Sequence, residues 1–462
     1  MLIFTPMNLF PVDNYYKKIL HVGLPAIAGL STQMVVSLVD AAMVGRLPEA
    51  TYALAAMGIG VLATWAVVSF FSSLATGTHV MVARNFGSQN YTGCSKALNN
   101  SLIIGFSIGI IITALCTLTA YPVSHFFAAD KIVGNYTAQF IFFRLLGLPF
   151  FLVSVSFRGF FFGIGKTKIF MFSGIMTNLL NIIFNYSLIY GLFGIPRMGL
   201  AGAGLGSSLA TFFDASFYFI VILLPSYRYR YRTFNYFKID LKLIKSIYKI
   251  SLPVSFQNIF ILIGFLIFIS ITGFIGTKEQ AASQAVISTL FISLLPCFGL
   301  GIAVQTLVGN SLGSKRFDLA RIYGFETAKI ATYYTLCLGA IYILLPQFIL
   351  LIITTDQSII ETAKPALRIA GFAQIFYATG VVLANGLQAA GKTLFVMISE
   401  ITANLFVFVP LAILLGVVLK LGLLWTWAAL PAYIIVYTTI IIIRFHYMKW
   451  GSEYVKIHED CE

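Results

Sequence analysis

Apolar blocks long enough to cross a bilayer as helices, about 20 residues each, recur from end to end of this 462-residue chain, broken by short segments holding Gly, Pro, Lys and Arg. Such a chain has no room for a sizeable soluble domain. Its residues are 59% hydrophobic and only 10% charged, against about 25% charged in an ordinary soluble domain. The sequence therefore predicts an all-α membrane protein. A formal charge of +14 raises the question of nucleic acid. The basic residues are spread over many short loops, however, and form no patch or reading motif, so nucleic acid is not expected as a partner. Cys94, Cys116, Cys297, Cys337 and Cys461 show no metal-ligand spacing and read as core thiols. No charged region followed by an apolar run and a cleavage site opens the chain, so the first span is expected to insert and stay.

Twelve helices are predicted near 17–45, 52–83, 93–120, 132–162, 168–192, 200–224, 243–275, 280–311, 319–352, 362–389, 393–419 and 424–447. The longest non-apolar stretch, SYRYRYRTFNYFKIDLKLIKS, divides them six and six. The expected organisation is an N-lobe over 1–225, a cytoplasmic linker over 226–246, a C-lobe over 247–450 and a cytoplasmic tail over 451–462. Lys and Arg number about 20 in the termini and even-numbered loops and about 6 in the odd-numbered ones, which predicts cytoplasmic termini.

The halves match at an offset near 226 residues: GLPAIAG with SLPVSFQ, VARNFGSQN with VGNSLGSKR, FRLLG with LRIAG, and GIGKTKIFMFSGIMTNL with QAAGKTLFVMISEITANL. A repeat with an even number of helices gives two pseudo-symmetric six-helix bundles related by an axis along the membrane normal, with a site expected where they face each other. Pro25 and Pro253 occupy matching places in the first helix of each half, and each removes a backbone hydrogen bond, so both helices are expected to bend there.

Within that frame Asp40 stands out. Its counterpart in the second half is about Phe268, and Asn181, Asn185 and Thr211 face Val407, Leu411 and Tyr437, so the first half reads as polar inside and the second as apolar. Gln33, Ser37 and Asp40 form one stripe of the first helix, and Asn178, Asn181 and Asn185 one stripe of the fifth. A carboxylate at this depth costs several kcal/mol unless paired or hydrated, and marks a functional site by default. No Lys or Arg shares these stripes. A carboxylate with amide carbonyls and a hydroxyl suits a proton, or a hard monovalent cation such as sodium bound by Asp40, Asn181, Asn185 and Thr211. The competing reading is a structural aspartate near the interface.

Asp214 and Glu400 also fall inside helices, without a surrounding cluster of oxygen ligands; Asp214 is expected to pair with Arg158. Glu400 lies one turn from Asn404 and is a candidate to line a cavity for cationic substrates, with Gln33, Ser37 and Asn178. His79 reads as a hydrogen-bonded core residue. The GKT segments at 165 and 391 lack the spacing of a phosphate loop and read as cytoplasmic turns.

GLPAIAGLSTQMVVSLVDAAMVGRL, LAAMG, VARNFGSQN, TNLLNIIFNYSLIYG, GAGLGSSLAT and LVGNSLGSKR, in that order, resemble the multidrug and toxic compound extrusion (MATE) family over essentially the whole chain. The resemblance implies a V-shaped pair of bundles that exports cationic amphipathic compounds in exchange for sodium ions or protons. The expected protein is an inner-membrane transporter in the lipid bilayer, not an enzyme, with no cofactor beyond the coupling ion and acting as a monomer. Asp40 matches the family's first-helix aspartate, Gln33 a polar residue above it, and Asn181, Asn185 and Thr211 its N-lobe cation cluster. Some members carry a second aspartate where this chain has Asn185. Others use a glutamate in the seventh helix and an aspartate in the tenth; this chain has neither, so coupling is expected in the N-lobe alone. A lipid-linked precursor flippase and a passive channel are the alternative functions; few buried basic residues argue against the first. No paired-aspartate, Ser/His or HExxH constellation of an intramembrane enzyme is present.

Overall fold

A computed structural model describes residues 13–451 except 129, 193 and 235–237, so Cys461 and nearly all of the expected tail lie outside the described residues. Among the described residues every regular element is helical, as expected where lipid leaves backbone groups no water to bond. Eleven helices suit a membrane span by length and composition, and twelve if one bent pair counts as a single span. In order, the spans are Asp13–Val44; Ala50–Ser72 continued by Leu74–Gly87; Tyr91–Phe127; Lys131–Leu145 with Leu148–Gly163; Thr167–Tyr190; and Leu200–Leu223. A short helix, Pro225–Tyr231, lies in the connecting stretch. The second six are Leu241–Ile275, Thr277–Gly313, Phe317–Leu344, Gln357–Ala389, Thr393–Val418 and Leu423–Tyr447.

Contacts divide the chain into two compact units. One is Ala28–Ser255; the other takes the first span up to Ile27 and resumes at Phe256. The boundaries therefore fall inside the first and seventh spans, two residues past Pro25 and Pro253, rather than in the polar linker. Both spans run as helix through their proline. Each loses a backbone hydrogen bond at the proline, the least costly place for a helix to leave one packing environment for another.

The fourth span departs from the continuous helix expected over 132–162. It breaks between Leu145 and Leu148 with a bend of 45°. A broken helix frees backbone groups that lipid cannot satisfy, and Ser208 of the sixth span satisfies them. Its hydroxyl faces the carbonyls of Phe143 (2.6 Å) and Arg144 (2.9 Å), and it accepts the Gly147 N–H (2.9 Å). Residue 147 must be glycine for this approach, because a Cβ there would stand 2.8 Å from Ser208. The eleventh span is irregular as well. Its segments Asn404–Phe408 and Leu414–Val418 are π-helical, flanking Pro410, which has no N–H to continue an α-helical ladder.

The second unit holds a large apolar core in which Phe268, the counterpart of Asp40, is 1% exposed. Its ring stacks on Phe408 at 4.9 Å and meets Trp427 edge-on at 5.0 Å. At that repeat position the second half is apolar, as the sequence predicts.

Candidate functional site

Asp40 lies four residues before the end of the first span, half-buried. Asn185 Nδ2 donates to its Oδ1 at 2.7 Å and to Asn181 Oδ1 at 3.1 Å. Asn181 Nδ2 in turn donates to Ser207 Oγ at 3.2 Å, and Ser207 Oγ to the Ala203 carbonyl at 2.9 Å. A hydrogen-bonded chain thus runs from the first span through the fifth to the sixth, inside one unit. Asn185 is fully buried and Asn181 nearly so. Their spacing of four residues puts both amides on one face of the fifth span, which Gly191 ends in the left-handed region at φ +76°.

Gly206 makes room for this arrangement. A Cβ there would lie 2.1 Å from Asn185 Oδ1 and 2.9 Å from its backbone N. Asn185 Oδ1 is buried without a hydrogen-bond partner.

The expected residues divide. Asp40, Asn181 and Asn185 are brought together. The Thr211 hydroxyl donates to the Ser207 carbonyl of its own helix at 2.8 Å, and Ser207, one turn earlier and absent from the sequence prediction, occupies the end of the chain. Gln33 and Ser37 are exposed on the first span, with Ser37 Oγ donating to the Gln33 carbonyl at 3.2 Å. Asn178 is half-buried, and its Nδ2 has no partner.

The stripes carry no cation, as expected, but a charge from another helix bears on the site: Arg144 is near enough to act on Asp40 electrostatically without forming an ion pair with it. Stripes on the first and fifth helices could not reveal it, because it comes from the fourth span at the break held by Ser208. The expectation for the second half needs correction: it is not uniformly apolar, since Glu400 is 2% exposed among polar side chains. Tyr433 donates its hydroxyl to Glu400 Oε1. Glu400 is thus enclosed by polar partners here, and the sequence reading that it lacks them does not hold.

Asp214 is also richly partnered. Arg158 Nη2 donates to it at 2.8 Å and Thr177 Oγ1 at 3.0 Å, with a further hydrogen bond from Ser173. The expected pair with Arg158 is present, and Asp214 is 1% exposed. His79 is buried against Phe162, with ring centroids 5.7 Å apart, in keeping with a core histidine.

Comparison with known proteins follows the same architecture. A probable multidrug resistance protein NorM of Thermotoga maritima is 27% identical over 457 residues, covering 97% of this chain and 96% of that protein. A probable multidrug resistance protein YoeA of Bacillus subtilis is 21% identical, covering 84% of each. Among solved structures, a MATE protein in complex with MaL6 superposes with a TM-score of 0.85 at 21% identity, over 98% of both chains. An outward-facing multidrug resistance MATE transporter of the MOP superfamily gives 0.84 at 20%, over 97% of both. The MatE family model matches residues 25–187 and again 253–414, one match in each half of the repeat. This multi-pass membrane protein belongs to the MatE family.

Proposed function

We propose that the chain is a secondary exporter of cationic amphipathic compounds, driven by exchange with protons through Asp40. The observation that carries this reading is the intramembrane carboxylate joined at 2.7 Å to a buried amide in a chain of polar side chains across three spans. A charge held at such depth is costly, and its neutralisation changes which packing of the first span is favoured. Coupling is then a difference in proton affinity between two conformations. A proton is favoured over sodium because the side chain bonded to Asp40 presents an N–H donor to it. A metal cation would require Asn185 to turn its carbonyl inward. The names of the relatives support multidrug compounds as cargo. In this proposal the protein works in the inner (cytoplasmic) membrane with both termini cytoplasmic, as a monomer without catalytic chemistry or a bound cofactor.

The test is efflux of a fluorescent lipophilic cation from proteoliposomes under a proton gradient and, separately, a sodium gradient. Proton-driven efflux by the wild type, lost in Asp40→Asn while the protein stays folded, is the expected result. Sodium-driven efflux would replace the ion. Equal efflux by the variant would end the role of Asp40.

A further inference from the structure

The second unit contains a buried acid that the exchange reading does not use. Glu400, on the eleventh span, takes the Tyr433 hydroxyl from the twelfth. Tyr437 and Gln257 are further polar side chains near the carboxylate. Gln257 accepts the Gln388 amide at 3.2 Å through Oε1, which leaves its own amide N–H free to face Glu400. Tyr377 of the tenth span lies close enough to feel the charge of the carboxylate. Among the described residues no Lys, Arg or His pairs with Glu400. One turn along the same span, Asn404 is fully buried with neither side-chain polar atom partnered, where the helix widens into a π turn.

The position of this cluster in the repeat adds to its interest. With the GKT segments aligned, Tyr433 and Tyr437 occupy the places of Ser207 and Thr211, and Asn404 that of Asn178. Glu400 falls opposite Gly174, so the acid belongs to the second half alone. Pure structural packing gives little reason to bury a carboxyl with no cation; replacing buried polar pairs by apolar ones is commonly neutral or favourable. Phenol and amide groups have the chemistry to serve both protonation states. They donate to the carboxylate, and a phenol oxygen accepts from the acid O–H once the carboxyl is protonated.

We propose that Glu400 is a proton-binding site in its own right, confined to the second unit and separate from Asp40. The proton comes from water and resides on a carboxylate oxygen, and the Tyr433 hydroxyl changes from donor to acceptor as it binds. Only its consequence for transport, one more proton per exported molecule, rests on the exchange reading.

The test is infrared difference spectroscopy of the purified full-length chain stepped between acid and alkaline pH. Asp40→Asn should keep a protonated-carboxyl component that is lost when Glu400→Gln is added, read as the difference between the two variants, which share Asp214 and every other carboxyl. Tyr433→Phe, which keeps the acid and most of the packing, should strengthen proton binding about tenfold, because the hydrogen bond it removes from the charged form is worth more than the one it removes from the neutral acid. A signal that neither Glu400→Gln nor Tyr433→Phe alters would overturn the proposal. The titration needs no transported compound, so its failure is distinct from failure of the efflux assay.

Discussion

Gly206→Ala tests the site without touching an ionisable group. The added methyl would start 2.1 Å from Asn185 Oδ1 and 2.9 Å from the Asn185 backbone N. Reaching ordinary contact requires the amide to move by about 1 Å. Because Nδ2 moves with Oδ1, the 2.7 Å bond to Asp40 opens beyond hydrogen-bonding distance. A hydrogen bond to a charged group contributes about 1.5–3 kcal/mol. Its loss favours the neutral acid, so the pH profile of driven efflux moves to higher pH by about one to two units. The assay is initial efflux from proteoliposomes over a range of internal pH at constant gradient. Gly202→Ala is the control, because its Cβ would press on the Leu188 backbone at 2.7 Å, in the same helix pair but away from Asp40. Both variants should lose thermal stability, and only Gly206→Ala should move the profile. An unmoved profile, or an equal shift in Gly202→Ala, would refute the account of Asn185 as the donor that tunes Asp40.

Arg144→Gln removes a positive charge that acts on Asp40 from a distance, and its efflux profile should shift in the same direction as that of Gly206→Ala, by less; a shift to lower pH would count against that influence. Ser208→Ala frees two carbonyls and an N–H at the break in the fourth span, and should lower stability in detergent by about 1–3 kcal/mol, read from thermal unfolding. Arg158→Met leaves Asp214 buried without its cation and should cost about 3–5 kcal/mol. Adding Asp214→Asn to that variant should recover part of the loss, and no recovery would show that the hydroxyls of Ser173 and Thr177 need the carboxylate itself.

How much of this was legible in the sequence depended on whether a feature lay within one helix or between helices. The twelve spans, the repeat and the stripe of Asn181 and Asn185 follow from length, offset and a four-residue spacing. Asp40 was conspicuous because a lone acid in an apolar run has no other explanation as simple. Arg144 and Ser208 were not legible, since their roles arise at a break in the fourth span that leucines and a glycine do not announce. Gly206 was invisible for a related reason: its importance is the space it leaves for a side chain on another helix. The polar interior of the second half was missed because tyrosines count as aromatic in an apolar tally, and their hydroxyls matter only once Glu400 is placed beside them.

The two acids also differ in what their charge can move. Asp40 is carried by the first span, which begins in one unit and continues in the other past Pro25. A change of charge there alters the preferred environment of a helix with segments in both units, whose backbone already lacks a bond at Pro25. Glu400 is carried by the eleventh span, which lies wholly within one unit, with its hydrogen-bond partner on the neighbouring twelfth. Its protonation can repack two adjacent helices, including the π turn that begins at Asn404, without acting on a helix shared by both units. Duplication supplied matching positions on the fifth and eleventh spans and on the sixth and twelfth. Each half then set its acid on a different helix, so loss of Asp40 should abolish coupling, whereas loss of Glu400 should change how many protons accompany each turnover.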